Sequence, residues 1–284
     1  MKEFLASLST VWIKFRRDRA ALAGLAIVVA LVVLSVVSVF AAPYGKVVAQ
    51  DLPAALQPPG AGHWFGTDDL GRDVFLRVLY GSRLSLFVGF MTVAIGMGIG
   101  LLLGVSAGYF GGWWDAVVMR VTDVMLAFPF LLLALAISSA LGPSLRNAIL
   151  ALGIASFPSY TRLVRGNVLG LREETYVDAA RALGAGSARI MARHLLPNLM
   201  GGLIVYGSLR VSTAILAEAS LSYLGLGVQP PEPTWGGMLS EGRDYVLFFE
   251  WLPLFPGLAI LLTVTGFNLL GDGLRDALDP KTRK

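Results

Sequence analysis

Two ionisable residues, Arg210 and Glu218, lie inside a long apolar stretch of this 284-residue chain. Counted from Pro197 at 1.5 Å per residue, Arg210 lies about 20 Å along a helix, close to the middle of a bilayer. Glu218 follows on a similar face about 12 Å further on, which is too far for a direct ion pair. Charges at this depth either line a water-filled path, where they can meet a carboxylate or an amino group, or pair with a neighbouring helix. The sequence leaves both interpretations open.

Patterns that would support catalysis are weak. Gly104-Val-Ser-Ala-Gly108 has the form of a serine-hydrolase nucleophile motif, but Ser106 lies in a glycine-rich helix without a nearby histidine. The two histidines, His63 and His194, are predicted to lie on opposite sides of a membrane, so they cannot share a metal or a proton. The chain has no cysteine and no phosphate-binding loop. It is therefore predicted to be a non-catalytic protein with no cofactor or metal site.

The composition is that of an integral membrane protein. Hydrophobic residues make up 55% of the chain and charged residues 15%, whereas soluble domains carry roughly 25% charged residues. The net charge of +4 does not indicate nucleic-acid binding, because the basic residues lie beside apolar spans and form no basic-aromatic groove pattern. Lipid is expected as a partner, and nucleic acid is not.

Apolar runs long enough to cross a bilayer, about 20 residues each, predict an all-α protein with six transmembrane helices. The runs lie near residues 20–42, 84–109, 116–141, 147–164, 198–222 and 249–271. An even number of spans puts both termini on one side. With that side cytoplasmic, sixteen Lys and Arg residues fall inside and six outside, so the positive-inside rule predicts cytoplasmic termini.

This topology divides the chain into segments with different surroundings. They are a cytoplasmic N-terminal segment (1–19), the first transmembrane helix (20–42), an extracytoplasmic loop (43–83), a core of five transmembrane helices (84–271) with a cytoplasmic loop (165–197), and a cytoplasmic tail (272–284). The extracytoplasmic loop is expected to hold an amphipathic interfacial helix that Thr67 caps.

Two local features carry smaller expectations. The stretch 225–236 is too rich in Pro and Gly to be helical, so Trp235 is expected to be exposed, either in the interfacial aromatic belt or as a seat for a binding protein. Arg120 and Asp123, three residues apart at the end of the third span, are expected to form a local ion pair.

Five glycines recur at every fourth position of the second span. They are Gly96, Gly100, Gly104, Gly108 and Gly112. Because glycine has no side chain to hold helices apart, such a stripe predicts a close helix-helix seam in the membrane. The sequence does not decide whether the seam lies within the chain or against another subunit.

The loop 165–197 is charged and helical in pattern, although it lies between apolar spans. Thr175-x-x-Asp178 has the form of a capping box, which predicts a helix from Tyr176, and Gly184 is placed just past its end. Such a helix is about 12 Å long and is not stable alone in water. It must therefore pack on the membrane surface or in a groove of a cytoplasmic partner.

The residues expected to take part in this contact share the short helix and the segment that follows it. Tyr176, Val177 and Leu183 are expected to form the apolar side of the helix. A second short helix is expected over 187–194, and Pro197 is expected in the first turn of the fifth span. The predicted contact set is Tyr176, Val177, Asp178, Ala179, Ala180, Leu183, Gly184, His194 and Pro197.

The loop resembles the coupling loop of ABC-importer permeases, whose signature is Glu-Ala-Ala-x3-Gly-x9-Ile-x-Leu-Pro. This chain has Asp178 in place of the Glu and His194 in place of the Ile. Three further segments are similar to the dipeptide/oligopeptide/nickel branch, and more particularly to its C-type subunit. They are 66–73, 224–231 with Trp235-Gly236, and 268–280.

The resemblance implies a multi-pass permease of the bacterial inner membrane with the type I importer fold. It also implies a heterodimer with a homologous B-type permease, two cytoplasmic ATPases that bind ATP and Mg, and an extracytoplasmic binding protein. The imported substrate would be a dipeptide or an oligopeptide. The same architecture could serve nickel chelates, glutathione or haem.

A secondary transporter driven by an ion gradient is the rival from another class. Such transporters show inverted repeats and broken helices or carboxylates near the midplane. The spans of this chain hold few acidic residues, and no repeat between its halves is visible.

Overall fold

The computed structural model of the chain describes residues 12–278, which form helices and, over that range, no β-strand. The helices that frame the molecule are α1 (Arg19–Ala41), α2 (Val74–Phe110), α3 (Gly112–Leu126), α4 (Phe130–Leu141), α5 (Leu145–Leu171), α6 (Thr175–Ala182), α7 (Ser187–Tyr223), α8 (Trp235–Gly242) and α9 (Trp251–Leu278). The predicted all-α class is confirmed.

Four of these helices, α1, α2, α7 and α9, are long and apolar enough to cross a membrane. The third predicted span is broken, because α3 and α4 are bent by 93° where Phe128-Pro129 joins them. Proline lacks an N–H and disfavours helical geometry in the residue before it, so a helix ends there. The bent pair supplies a fifth span if it counts as one. The fourth predicted span falls in α5, whose 27 residues measure about 40 Å.

The predicted amphipathic helix that begins at Thr67 is wrong. Thr67 is fully buried, and its hydroxyl donates to the carbonyl oxygen of Ala54 at 2.5 Å, so it fastens a loop. Gly71 has φ +73, a conformation that favours glycine and interrupts a helix. The helix begins at Val74, with Asp73 as its N-cap, and continues without interruption into the predicted second span.

The predicted terminal segments 1–19 and 272–284 are covered only in part, because residues 1–11 and 279–284 lie outside the described residues. The side chain of Asp18 caps α1 and accepts from the amides of Ala20 and Ala21. Helix α9 continues to Leu278, so the described part of the predicted tail extends the last helix.

The glycine stripe forms a seam between α2 and α5, within this one chain. A Cβ atom added at Gly100 would lie 2.4 Å from the Cβ of Tyr160, and one added at Gly104 would lie 2.7 Å from the Cβ of Val164. Gly112 takes no part, because it is the first residue of α3 and has open space around it. The seam glycines are Gly96, Gly100, Gly104 and Gly108.

A buried charge cluster fastens the N-terminal end of α2 to α8. The Nε of Arg72 lies 2.6 Å from Asp68, and Nη2 of Arg77 lies 2.7 Å from Glu241, which also pairs with Arg72 at 3.1 Å. Arg72 and Arg77 are 4% and 1% exposed. Two arginines of the predicted extracytoplasmic loop are therefore neutralised inside the fold.

The prediction that Trp235 is exposed is wrong. Trp235 is 1% exposed, its Nε1 donates to the carbonyl oxygen of Val78 at 3.0 Å, and its ring packs over Gly81. The Pro/Gly-rich stretch ends in α8, because Thr234 accepts a hydrogen bond from the amide of Gly237 and caps that helix. The indole is therefore a core side chain that locks α8 onto α2.

Replacing Gly100 with alanine is expected to destabilise the protein by about 1–3 kcal/mol, because the added methyl group must displace Tyr160 and the backbone of α5. Gly98→Ala is the matched control on the same helix, since open space surrounds Gly98, and it is expected to be neutral or to stabilise by up to about 1 kcal/mol. Thermal unfolding of the detergent-purified protein measures both. Equal melting temperatures for the two variants would contradict the seam.

Arg77→Gln is expected to destabilise the protein by about 1–3 kcal/mol, because it removes a buried charged partner of Glu241 and leaves Arg72 to serve both Asp68 and Glu241. Arg83→Gln, one and a half turns further along α2 and outside the charge cluster, is expected to cost under about 1 kcal/mol. Denaturation monitored by tryptophan fluorescence compares the two. If the free energy of unfolding falls no more in Arg77→Gln than in Arg83→Gln, the charge cluster does not stabilise the fold.

Candidate functional site

The loop 165–197 is anchored to the bundle by an apolar cluster at the C-terminal end of α2. Helices α5, α6 and α7 each contribute buried side chains to this cluster. Its members are Val164, Val168, Val177, Ala180, Ile190, Leu195, Leu199 and Leu203. Since α2 is 37 residues long, or about 55 Å, this end of the molecule lies far from the buried charge cluster at the other end.

Helix α6 begins one residue earlier than predicted, and its capping box is absent. Its N-cap is Glu174, which makes no side-chain capping hydrogen bond. Thr175 is already the first helical residue, so its hydroxyl is not placed to cap the helix. Asp178 instead pairs with Arg181 at 3.1 Å on the exposed surface.

The C-terminus of α6 is a Schellman motif, as the glycine at 184 predicts. Gly184 has φ +80, its amide donates to the carbonyl oxygen of Arg181 at 2.9 Å, and the amide of Ala185 donates to that of Ala180 at 3.0 Å. These are the two hydrogen bonds that define the motif. The chain therefore turns sharply at a conformation that residues with a side chain rarely adopt.

The two faces of α6 differ from the prediction. Val177 and Ala180 are buried, at 0% and 8% exposure, against the chain's own apolar cluster. Leu183 is 88% exposed and Tyr176 is 38% exposed, so the three predicted apolar residues do not share a side. Asp178 and Ala179 are also exposed. The free face of the helix thus presents a leucine, a tyrosine and charges to whatever lies beyond it.

Helix α6 is connected stiffly to the long helix α7. The second short helix, predicted over 187–194, is observed as Ser187–Ile190, and it continues through a π-helical turn, Met191–Leu195, directly into Leu196–Tyr223. His194 lies in the π turn, and its carbonyl oxygen accepts from Nδ2 of Asn198 at 2.7 Å. Pro197 occupies the first turn of the last segment, as predicted. The second half of the loop is therefore continuous with a 37-residue helix.

Ion pairs tie α3 to α5. Arg165 forms two hydrogen bonds with the carboxylate of Asp115, at 2.5 and 2.6 Å, and Arg162 pairs with Asp123. The predicted local pair between Arg120 and Asp123 is wrong, because Asp123 is engaged across the helix interface. Pairing across elements is invisible to local spacing, which is why the sequence did not reveal it.

A cavity of about 290 Å³ lies midway along the bundle. Its walls come from α2, the α3–α4 elbow, α5 and α7. The residues that matter for its chemistry are Thr92, Phe128, Ser156, Tyr160, Arg210 and Thr213. The elbow at Pro129 places aromatic side chains at the wall, a feature that the prediction of one continuous span missed.

Arg210 lines this cavity, and Glu218 is not among the residues around it. The guanidinium of Arg210 lies 4.7 Å from the ring centroid of Tyr206 and donates to its hydroxyl. Glu218 is 1% exposed and accepts from the hydroxyl of Ser222 at 2.7 Å. The structure therefore separates two residues that the sequence placed on a similar face.

The remaining chemical motifs do not assemble. Ser106 accepts from Nε1 of Trp114 at 3.2 Å and donates to the carbonyl oxygen of Leu103. His63 pairs with Asp73, at the opposite end of α2 from the π turn that holds His194. Within residues 12–278, no cluster of His, Asp and Glu is suited to a metal ion.

Residues 100–284 match the family model described as binding-protein-dependent transport system inner membrane component. This region contains the loop, the bent pair and the cavity wall of α7. The chain belongs to this family. Residues 8–59 match a second model, the N-terminal transmembrane domain of oligopeptide transport permease C.

Curated relatives extend the match over nearly the whole chain. The glutathione transport system permease protein GsiD of Escherichia coli O6:K15:H31 is 47% identical over 272 residues, which is 96% of this chain and 90% of that protein. GsiD of Shigella boydii serotype 4 is similar to the same extent. The chain is therefore a permease subunit of an ABC importer and a multi-pass protein of the bacterial inner membrane.

A solved structure shares the fold. A chain of the MetNI methionine ABC transporter in inward-facing conformations superposes with a TM-score of 0.58 at 20% identity, covering 72% of this chain and 97% of that chain. The importer-permease chain therefore has the type I importer fold that the loop resemblance implied.

Gly184→Val is expected to loosen the end of α6, because a β-branched residue at φ +80 is strained by about 1–3 kcal/mol. Gly186→Val is the matched control, since Gly186 has φ −68 and open space around it. Trypsin cleavage after Arg181 in the purified protein is expected to be about fivefold faster, or more, in the first variant. Equal cleavage rates would show that the turn does not hold the loop.

Proposed function

We propose that this permease carries small peptides, with glutathione among them, across the inner membrane, driven by ATP hydrolysis in partner chains. The identity to permeases named for glutathione transport and the matched oligopeptide permease C domain support a peptide substrate. Nickel chelates and haem remain alternatives with the same architecture. In this proposal the partner ATPases bind the ATP and Mg.

The observation that carries the proposal is the exposed face of α6 on a rigid mount. Leu183 is 88% exposed at the tip of a helix whose other side is buried in the bundle. A protruding leucine beside Tyr176 suits an apolar groove on another protein. We infer that a cytoplasmic ATPase provides this groove and that each copy of the importer contains two ATPases.

The force path follows from the helix connections. An ATPase that moves Leu183 also moves α7, because only residues 183–186 separate α6 from α7 and both helices pack into the same apolar cluster. Helix α7 carries Arg210 at the cavity wall. Motion at the loop thereby moves the cavity wall together with the bundle, relative to the other chains of the proposed assembly, and the two states must differ in their contacts.

A second permease and a binding protein complete the proposed assembly. The cavity walls come from α2, α3–α4, α5 and α7, and large apolar side chains such as Leu102 and Val124 are exposed on the molecule. We infer that lipid and a homologous B-type permease share this exposed surface. The binding protein delivers peptide at the end that holds the buried charge cluster. The positive-inside rule predicts that this end is extracytoplasmic and that both termini are cytoplasmic.

Uptake by membrane vesicles tests the function. Vesicles containing this chain, its sister permease, both ATPases and the binding protein are expected to accumulate glutathione or dialanine with ATP, and vanadate is expected to block the uptake. Ionophores that collapse ion gradients are expected to have little effect. Uptake that ignores vanadate and follows an ion gradient would support the secondary transporter instead.

Leu183→Asp is expected to reduce the ATPases that copurify with the permease by about tenfold, the loss typical of one interface anchor. Leu247→Asp is the matched control, because Leu247 is 85% exposed and follows α8 at the far end of the molecule. Quantitative gel analysis of the affinity-purified complex compares the two. Equal recovery of ATPases with both variants would contradict docking through α6.

A further inference from the structure

We propose that Arg210 is a binding site for a carboxylate group of the substrate inside the cavity, an inference that rests on the proposed peptide transport. The site is a second recognition point, separate from any selection by the binding protein. It would favour peptides with a free carboxylate over their esters and amides.

The first observation is the absence of a counter-ion. Among residues 12–278, Arg72, Arg77, Arg162 and Arg165 each pair with a carboxylate, whereas no carboxylate oxygen of that range lies within 4 Å of Arg210. A cation near the middle of a membrane protein normally has a partner. A carboxylate group of the substrate would supply the counter-ion that Arg210 lacks.

The second observation is the number of donors left over. A guanidinium has five N–H donors and accepts nothing, and within the described residues Arg210 donates one hydrogen bond, to Tyr206. Two planar N–H groups match the two oxygens of a carboxylate. The cavity wall thus offers the geometry for a bidentate contact.

The third observation concerns the neighbouring hydroxyl groups. Thr92 and Tyr160 line the same cavity and are each 1% exposed, and their hydroxyl oxygens have no hydrogen-bond partner among the described residues. Buried polar groups usually have partners. These two unpartnered hydroxyls belong to residues of the same wall as the unpaired cation, and none of the lining residues is acidic.

Aromatic contacts hold the guanidinium in place. Arg210 lies over the ring of Tyr206, and Tyr206 meets Tyr160 edge to face with ring centroids 5.1 Å apart. Tyr160 in turn packs against Gly100 in the α2–α5 seam. The cation is therefore positioned before any ligand arrives, which reduces the ordering that binding requires.

The cavity size fits a small ligand. Its volume of about 290 Å³ is at the lower end of the range for ligand pockets, roughly 300–1,000 Å³. A dipeptide or tripeptide end carrying a carboxylate is the chemical class that the volume and the donors favour together.

The test compares two substrates in the complete complex reconstituted in vesicles. The measured quantity is the acid-to-ester ratio, which is the uptake rate of glutathione divided by that of glutathione dimethyl ester. The same ratio is measured for dialanine and its methyl ester. The binding protein is identical in every sample, so its own preference cancels when variants are compared. Arg210→Gln is expected to lower the acid-to-ester ratio by about tenfold. Arg210→Lys keeps the positive charge but loses the planar pair of donors, so its ratio is expected to fall between those of Arg210→Gln and wild type.

Arg243→Gln is the matched control, because Arg243 is exposed near α8 and pairs with Asp244; its ratio is expected to equal that of wild type. Tyr206→Phe keeps the ring and removes the hydroxyl that accepts from Arg210, so it is expected to lower the ratio partially. This milder variant gives the same readout if Arg210→Gln does not assemble.

The outcomes separate the two proposals. A ratio unchanged in Arg210→Gln or, where that variant does not assemble, in Tyr206→Phe overturns the carboxylate site, even if total uptake falls, because a purely structural role affects acid and ester alike. Wild-type vesicles that import neither probe with ATP overturn the proposed function and the site with it. If wild-type vesicles import the probes and every variant has the wild-type acid-to-ester ratio, the carboxylate site is overturned and the proposed function stands.

Discussion

The close contact between α2 and α5 is the interaction on which the rest of the structure depends. In lipid, apolar side chains gain little by leaving one apolar environment for another, so helices associate through van der Waals contact at short range. The four seam glycines bring α5 so near that an added Cβ atom would overlap its side chains. The same seam sets Tyr160 at the cavity and Val164 and Val168 beneath the loop, so one contact positions both sites.

The two ends of α2 are fastened by different means. At one end, apolar side chains of α5, α6 and α7 hold the loop, and a Schellman turn and a π turn join it to α7. At the other end, Arg72 and Arg77 join the start of α2 to Glu241 on α8 through buried ion pairs. The permease therefore has both ends of α2 fastened to other helices, with a cavity midway between them.

Local patterns predicted those features that a single helix determines. The glycine stripe indicated a seam, Gly184 indicated the end of α6, and Pro197 indicated the first turn of a long helix; each signal depends on residues a few positions apart. The features that failed depend on tertiary partners. Trp235 is buried because Gly81 on α2 leaves room for its ring, and Thr67 fastens a loop because the carbonyl of Ala54 lies within reach. For Arg210, the position at a cavity wall is one of the two alternatives that the sequence leaves open. The burial of Glu218 away from that wall depends on how several helices pack, so local spacing could not predict it.

The central claim is that α6 and the bundle move as one body, so that force applied to the loop reaches the cavity. The chain has no cysteine, so spin labels can be placed at Leu183 and Leu102, which are 88% and 74% exposed. Pulsed electron resonance then measures the distance between the two labels in the complete importer, without nucleotide and with ATP plus vanadate. The account predicts the same distance in both states. A change of about one helical turn, roughly 5 Å, would show that α6 moves independently of the bundle and would contradict the account.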